Sequence, residues 1–188
     1  MRYTVEDTAK KHEKILEHGG QLLRERGLSK VSVAEIMKAA GLTHGAFYSH
    51  FDSKEDMVAK IVEHVSGAAC FEIAEAERTP RGLGAYVESY LSSQHRDGPG
   101  AGCLIAAIGA ELGREPTIRP ALTEHVKATL RALIRPLRSK RIRDARAEAI
   151  CLLSAMVGAI VLARAVDDEA LSDEILNETR KAWADEVH

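Results

Sequence analysis

Residues 31–57, VSVAEIMKAAGLTHGAFYSHFDSKEDM, place two short helices around a tight turn. Ser32, followed three positions later by Glu35, is a capping box in which hydroxyl and carboxylate satisfy backbone donors at a helix opening. Val33, Ile36 and Ala40 give that helix one apolar face. Gly41 supplies the positive φ that ends it, and Thr43 is placed to cap the next, so helix, turn and helix fit within about 20 residues. The second helix, about His44 to Phe51, is only two turns long, and because nucleation is costly it must be held by its neighbours. Phe47 and Phe51, at i and i+4, anchor it on a core. His44, Gly45, Tyr48, Ser49 and His50 are left on its other sides, a set of donors with one flat ring, suited to entering a DNA groove.

The stretch Gly41-Leu42-Thr43-His44-Gly45-Ala46-Phe47-Tyr48-Ser49-His50-Phe51, followed by Ser53-Lys54-Glu55, resembles the DNA-binding signature of the tetracycline-repressor (TetR) family of bacterial regulators. The resemblance covers about 60 residues at the amino end; beyond them the likeness is one of size, helicity and a weaker local pattern. It implies an all-α protein. A three-helix helix-turn-helix head, residues 1–52, is joined by a continuous helix to a helical dimerisation and ligand-binding domain, residues 53–188. By the same resemblance His44, Gly45 and Ser49 match positions that face base edges, and Ser32, Thr43, Tyr48, His50 and Lys54 match positions that hold phosphates. Hydroxyls, a phenol, amides and an ammonium all donate to phosphate oxygens, fixing register without reading sequence. His44 stands where the family often has lysine and Phe47 where leucine is usual, so base preference does not carry over. A histidine there predicts affinity that rises as pH falls.

Composition agrees with a helical chain without proving one. At 188 residues it is long enough to bury a real core, and 4% aromatics with five prolines and abundant Ala, Leu, Glu and Arg favour helices. The formal charge of −2 gives no electrostatic hint of nucleic acid, and residues 1–65 balance at ten basic against ten acidic side chains. Any DNA affinity must come from where the charges sit. Three widely spaced cysteines, Cys70, Cys103 and Cys151, predict no disulfide framework, and the polar opening MRYTVEDTAKKHEK is no secretory signal; both point to the cytoplasm. The apolar run Ala149 to Ala163 is shorter than the roughly 20 residues a membrane span needs.

Along the chain, Ile15, Leu16, Gly19, Leu22 and Leu23 mark a one-sided helix over residues 5–26 that Gly27 stops. Ser53 with Asp56 opens a helix whose Met57, Ile61, Val62 and Val65 run into the body with no flexible linker. After Thr79-Pro80-Arg81-Gly82, Leu83 to His95 reads as a helix and Asp97 to Gly102 as a loop. Cys103 to Leu112 is a short apolar helix, and Pro116 opens a longer one through Leu137. RSKRIR, residues 138–143, is a basic connection before two last helices, about Ala145–Ala165 and Ser172–Val187.

The penultimate helix is apolar around most of its circumference, with Ile150, Leu153, Val157 and Val161 on one side and Cys151, Met156 and Ile160 on others. Either it is the central helix of a monomer or a partner chain covers it. The resemblance implies a homodimer through the last two helices, and two heads on a twofold axis would read a palindrome.

The resemblance also implies a pocket for a small effector. Wall candidates are Phe71, Tyr86, Tyr90, Cys103, Leu104, Ile108, His125 and Met156, suited to a hydrophobic or aromatic compound and equally to ordinary core. Cys103 follows a glycine loop at a helix start, where dipole and free amides favour a thiolate, so it is either an electrophile sensor or a buried structural thiol. Cys70 and Cys151 read as core. The eight histidines show no i,i+4 pair and no zinc spacing, and DGPGAG leads to Cys103 rather than a phosphate-binding Lys-Ser, so neither metal nor cofactor is called for. The leading expectation is a transcription repressor released from its operator by an effector, and not an enzyme. A thiol enzyme on Cys103 with His95 or His125, and a helical protein-interaction module, are the alternatives.

Overall fold

The protein, seen in a computed structural model that describes residues 5–79, 81–137 and 142–184, is all helical, with no strand among the described residues. Helix α1 (Val5–Arg26) ends where Gly27 turns to φ 88°. Helix α2 (Val33–Ala39) opens with the expected capping box: Glu35 N–H donates to Ser32 Oγ at 3.2 Å, and Ser32 N–H donates to Glu35 Oε2 at 2.9 Å. Gly41 adopts φ 73°.

The next element departs from the expectation. It is a 3₁₀ helix over His44–Ser49, not an α-helix reaching Phe51, and the Thr43 side chain makes no capping bond. So short a segment, uncapped and carrying Gly45, winds tighter instead of completing two α turns. With three residues per turn, His44, Phe47 and His50 fall into one row and Gly45 and Tyr48 into another.

Helix α3 (Lys54–Glu77) is capped by Ser53 Oγ, which accepts from Asp56 N–H at 3.1 Å, and it runs unbroken from head into body. The single helix expected over Leu83–His95 is two, α4 (Gly82–Tyr90) and α5 (Ser93–Asp97), because Ser92 Oγ accepts from His95 N–H at 3.2 Å and starts a new helix. Within the expected loop, Pro99–Ala101 forms a 3₁₀ turn. Then come α6 (Leu104–Leu112), α7 (Arg119–Ile134), α8 (Ile142–Ala165) and α9 (Glu169–Ala184). Helix α7 starts three residues after Pro116, with Pro120 in its first turn. Residues 138–141 of the basic connection lie outside the described residues, as do 185–188.

Two apolar clusters hold the molecule. The first gathers Ile15, Leu23, Ile36, Phe47 and Phe51 of the head with Ile61 of α3 and Leu104, Ile108, Leu112 and Ile118 of the body. Gly19 lets α1 cross α3 closely, since a Cβ there would lie 2.6 Å from Ile61 Cδ1. The second gathers Leu83, Val87, Tyr90, Leu133, Leu152, Met156 and Ile160.

From Asp144 to Ala165, α8 is long and apolar enough to cross a membrane by length and composition, yet it packs on this core, with 39% of its most apolar window buried. Ile150, Val161 and Leu162 stay exposed on it, and so does Cys151, which is therefore not the core residue its neighbours suggested. Cys70 is half-buried.

Candidate nucleic-acid interface

Phe47 and Phe51 seat the 3₁₀ helix, at 3% and 2% exposure with ring centroids 5.7 Å apart. His44, Gly45, Tyr48 and Ser49 are left facing outward. Tyr48 is 75% exposed, braced edge-on against Phe47 at 5.1 Å, so its phenol is held by its base and open at its tip. Gly45 is exposed, and a Cβ there would meet nothing within 4 Å, leaving room for a backbone or base edge. His44 is exposed and lies parallel to Phe47 at 6.4 Å, and Thr43 is exposed beside it.

The remaining predicted contacts are engaged within the chain. Ser49 Oγ donates to Ala46 O at 2.6 Å, which leaves it an acceptor. Ser32 Oγ donates to Glu35 Oε2 at 2.7 Å in the capping box. His50 is half-buried, stacked on His12 at 5.6 Å, and burial ahead of the nearby Lys11 charge lowers its pKa. Lys54 Nζ donates to Val31 O at 2.7 Å and Leu28 O at 3.3 Å.

Sequence reading missed His12. It precedes Ile15 by three positions on the buried stripe of α1, a spacing that foretold its inward face, and its ring stacks on Phe51 at 4.9 Å. Burial first, then His50 and Lys60, lower its pKa against an opposing pull from Asp56. His12, His50 and His64 line an open cleft of about 590 Å³ between α1, the 3₁₀ helix and α3.

Also missed was a clamp on the turn after α1. Leu28 O accepts from Lys54 of α3, while Leu28 N–H donates to Glu111 Oε2 of α6 at 3.0 Å. Arg24 Nε donates to Gly100 O at 2.7 Å, a second tie between α1 and the body. Partners 76 and 83 residues apart leave no local pattern in a sequence.

The predicted effector wall divides. Phe71 is 64% exposed and joins no buried set, which removes it from an internal wall. Leu104 and Ile108 belong to the head-side cluster; Tyr90 and Met156 are buried in the other, with Tyr86 and Cys103 packed against it. The Tyr90 hydroxyl and His125 Nδ1 are buried without hydrogen-bond partners. Burial, then the adjacent Cys103, holds the Tyr90 phenol far above its ordinary pKa, and burial alone lowers that of His125. Neither open cleft is lined by these residues: the second, about 280 Å³, lies between Cys70, Ala74 and Glu77 of α3 and Ala128, Arg131, Ala132 and Arg135 of α7.

A capped helix, a glycine turn and an aromatic-anchored second helix with an exposed ridge define a helix-turn-helix head on a helical body. Residues 15–61 match the family described as bacterial regulatory proteins, tetR family. The head of the chain thus carries that family's DNA-binding module. An uncharacterized HTH-type transcriptional regulator of Bacillus subtilis, YvdT, is 40% identical over 58 residues, covering 31% of this chain and 30% of that protein. The chain thus aligns with less than a third of that relative's length. The HTH-type transcriptional repressor NemR of Escherichia coli is 26% identical over 146 residues, 74% of this chain and 72% of that one. Folds agree over nearly the whole length: the reduced form of E. coli NemR superposes with a TM-score of 0.79 at 22% identity, covering 95% and 98% of the two chains. The regulatory protein TetR of Rhodobacter sphaeroides gives 0.75 at 23% identity, covering 94% and 98%.

Proposed function

We propose that this protein is a dimeric transcription repressor of the cytoplasm that grips palindromic operator DNA through its 3₁₀ helix and is released by a small hydrophobic or aromatic effector. The observation that carries the reading is Tyr48, three-quarters exposed on a ridge whose base, Phe47 and Phe51, is buried. A large aromatic held out at that angle from a rigid element serves recognition better than stability. Tyr48 and Thr43 donate to phosphates, while His44, Gly45 and Ser49 face base edges. Ser32, His50 and Lys54 act from behind, by fixing α2, the 3₁₀ helix and the Leu28 turn.

The head is residues 1–52 and the body begins at the Ser53 cap. A second copy covers Ile150, Val161 and Leu162 of α8, because these large apolar side chains sit exposed on one helix. Two heads then add their discrimination, at about 1–3 kcal/mol for each wrong base pair. The effector enters beside Tyr86, Tyr90, Cys103, His125 and Met156, where two polar atoms lack partners. NemR is described as a repressor, which supports that sign of regulation.

Binding to duplex DNA flanking the protein's own gene, measured against salt, tests this reading. A steep decline with ionic strength and a preference over random duplex are expected. Equal, weak binding to both duplexes would sink it.

A further inference from the structure

Helix α6 is held at its start by one imidazole. His95 Nδ1 lies 2.6 Å from Tyr90 O, and a carbonyl only accepts, so Nδ1 carries the proton. Nε2 accepts from Cys103 N–H at 2.9 Å, so Nε2 is bare. Two backbone groups thus select one neutral tautomer. Gly102 makes the approach possible, because a Cβ there would sit 2.5 Å from the imidazole Cδ2 and Nε2. Arg164 of α8 fixes the ring's own helix, donating from Nη2 to His95 O at 2.6 Å and from Nε to Arg96 O at 2.9 Å.

The element positioned this way reaches the head. Leu104, Ile108 and Leu112 of α6 sit in the head's apolar cluster, and Glu111 accepts from Leu28 N–H. We propose that His95 is the positioning residue that seats α6 on the head, and that it does so only as the neutral tautomer, so that acid unseats α6 and frees the Leu28 turn. A proton on Nε2 would turn an acceptor into a donor facing the Cys103 N–H.

The groups around the ring are Tyr90 of α4, Arg164 of α8 and Cys103 at the start of α6; Arg24 of α1 and Tyr86 of α4 lie near Cys103, Glu72 of α3 near those two, and Asp97 of α5 near Arg164. None offers His95 a carboxylate. Burial, helped by Arg164 and opposed by the Tyr90 carbonyl, lowers the pKa of His95. The neutral latch is therefore at full strength above the ordinary histidine range and is lost as pH falls through the lower folded value.

The test uses the full-length chain labelled with ¹⁵N and needs no DNA or effector, so it fails or succeeds independently of the repressor reading. Histidine-ring correlation spectra at pH 7.5 are expected to show His95 protonated on Nδ1 and bare on Nε2. On titration toward pH 5.5, its protonation is expected to coincide with lost exchange protection, corrected for intrinsic rates, at both the Cys103 and Leu28 amides. In His95→Gln, whose amide oxygen can accept from Cys103, the Leu28 amide is expected to lose that pH dependence. An Nε2–H tautomer at pH 7.5 overturns the proposal. So does wild-type His95 protonation that leaves either amide protected, or a Leu28 transition that survives in the variant at the wild-type midpoint.

Discussion

Replacing Lys54 by Met separates two roles that one ammonium could play, because the stem is kept and only the charge and its bonds are lost. In the free protein Nζ donates to Val31 O at 2.7 Å and to Leu28 O at 3.3 Å. A hydrogen bond from a charged donor contributes about 1.5–3 kcal/mol net, and the longer contact, beyond the usual N–H···O range, adds little. The variant should therefore lose about 1.5–3 kcal/mol, or roughly 3–12 °C in Tm for a chain of this size. Thermal unfolding followed by circular dichroism reads this directly. The second assay is the slope of log affinity against log salt on flanking DNA, which changes by about 0.9 for each phosphate contact removed. If Lys54 works by holding the Leu28 turn, Tm falls and the slope stays. An unchanged Tm with a slope reduced by the per-contact amount would refute the argument, since Lys54 would then leave its carbonyls for the operator.

Tyr48→Ala should weaken binding to all duplexes by a similar factor while stability moves by less than about 0.5 kcal/mol, as for an exposed site, in paired binding and melting curves; a loss confined to the specific duplex would assign the ring to base reading. His44→Ala should instead change base preference; selection from a random duplex pool checks this, and an unaltered preference removes His44 from the contact. Head stability should fall with pH, because the lowered pKa values of His12 and His50 give stability that is complete above the ordinary histidine range and lost as pH falls through the folded values; melts from pH 7.5 to 5 should be less pH-sensitive in His50→Gln, and a variant as pH-sensitive as the wild type argues against the pair. Leu162→Glu, at a residue 56% exposed on α8, should shift sedimentation to the monomer and abolish tight operator binding with little change in helicity; a persistent dimer places the interface elsewhere.

What the sequence disclosed was local. The Ser32–Glu35 box, the positive φ at Gly27 and Gly41, the Ser53 cap and the inward Phe47 and Phe51 all follow from residues within four positions of one another, and the structure contains each. Hidden were contacts between distant segments. Lys54 reads as a first-turn cation until the fold brings two carbonyls to it, and Glu111 as a solvated charge until α6 lies under Leu28. The 3₁₀ winding was hidden for a related reason. An i, i+4 pair of phenylalanines fits an α-helix, and the shortness of the segment and the missing Thr43 cap appear only in the folded chain. Exposure misled at Cys151 and Phe71, since apolar neighbours in sequence do not guarantee a covering layer in space.

The Leu28 turn is where these distant contacts acquire a regulatory meaning. It joins α1 to α2, and its backbone is held by Lys54 of α3 at the Val31 carbonyl and by Glu111 of α6 at the Leu28 amide. Helix α3 is continuous with the body, and α6 starts at the His95–Cys103 junction beside the unpartnered Tyr90 hydroxyl. On the proposed reading, an effector beside Tyr90 would act on the head through the continuous α3 and through the Glu111–Leu28 hydrogen bond. Effector coupling in regulated proteins amounts to about 1–3 kcal/mol, which is the size of one charge-assisted bond. Were the Glu111–Leu28 bond kept in the operator-bound state and lost in the released one, the proposed release would change operator affinity by roughly 5- to 150-fold.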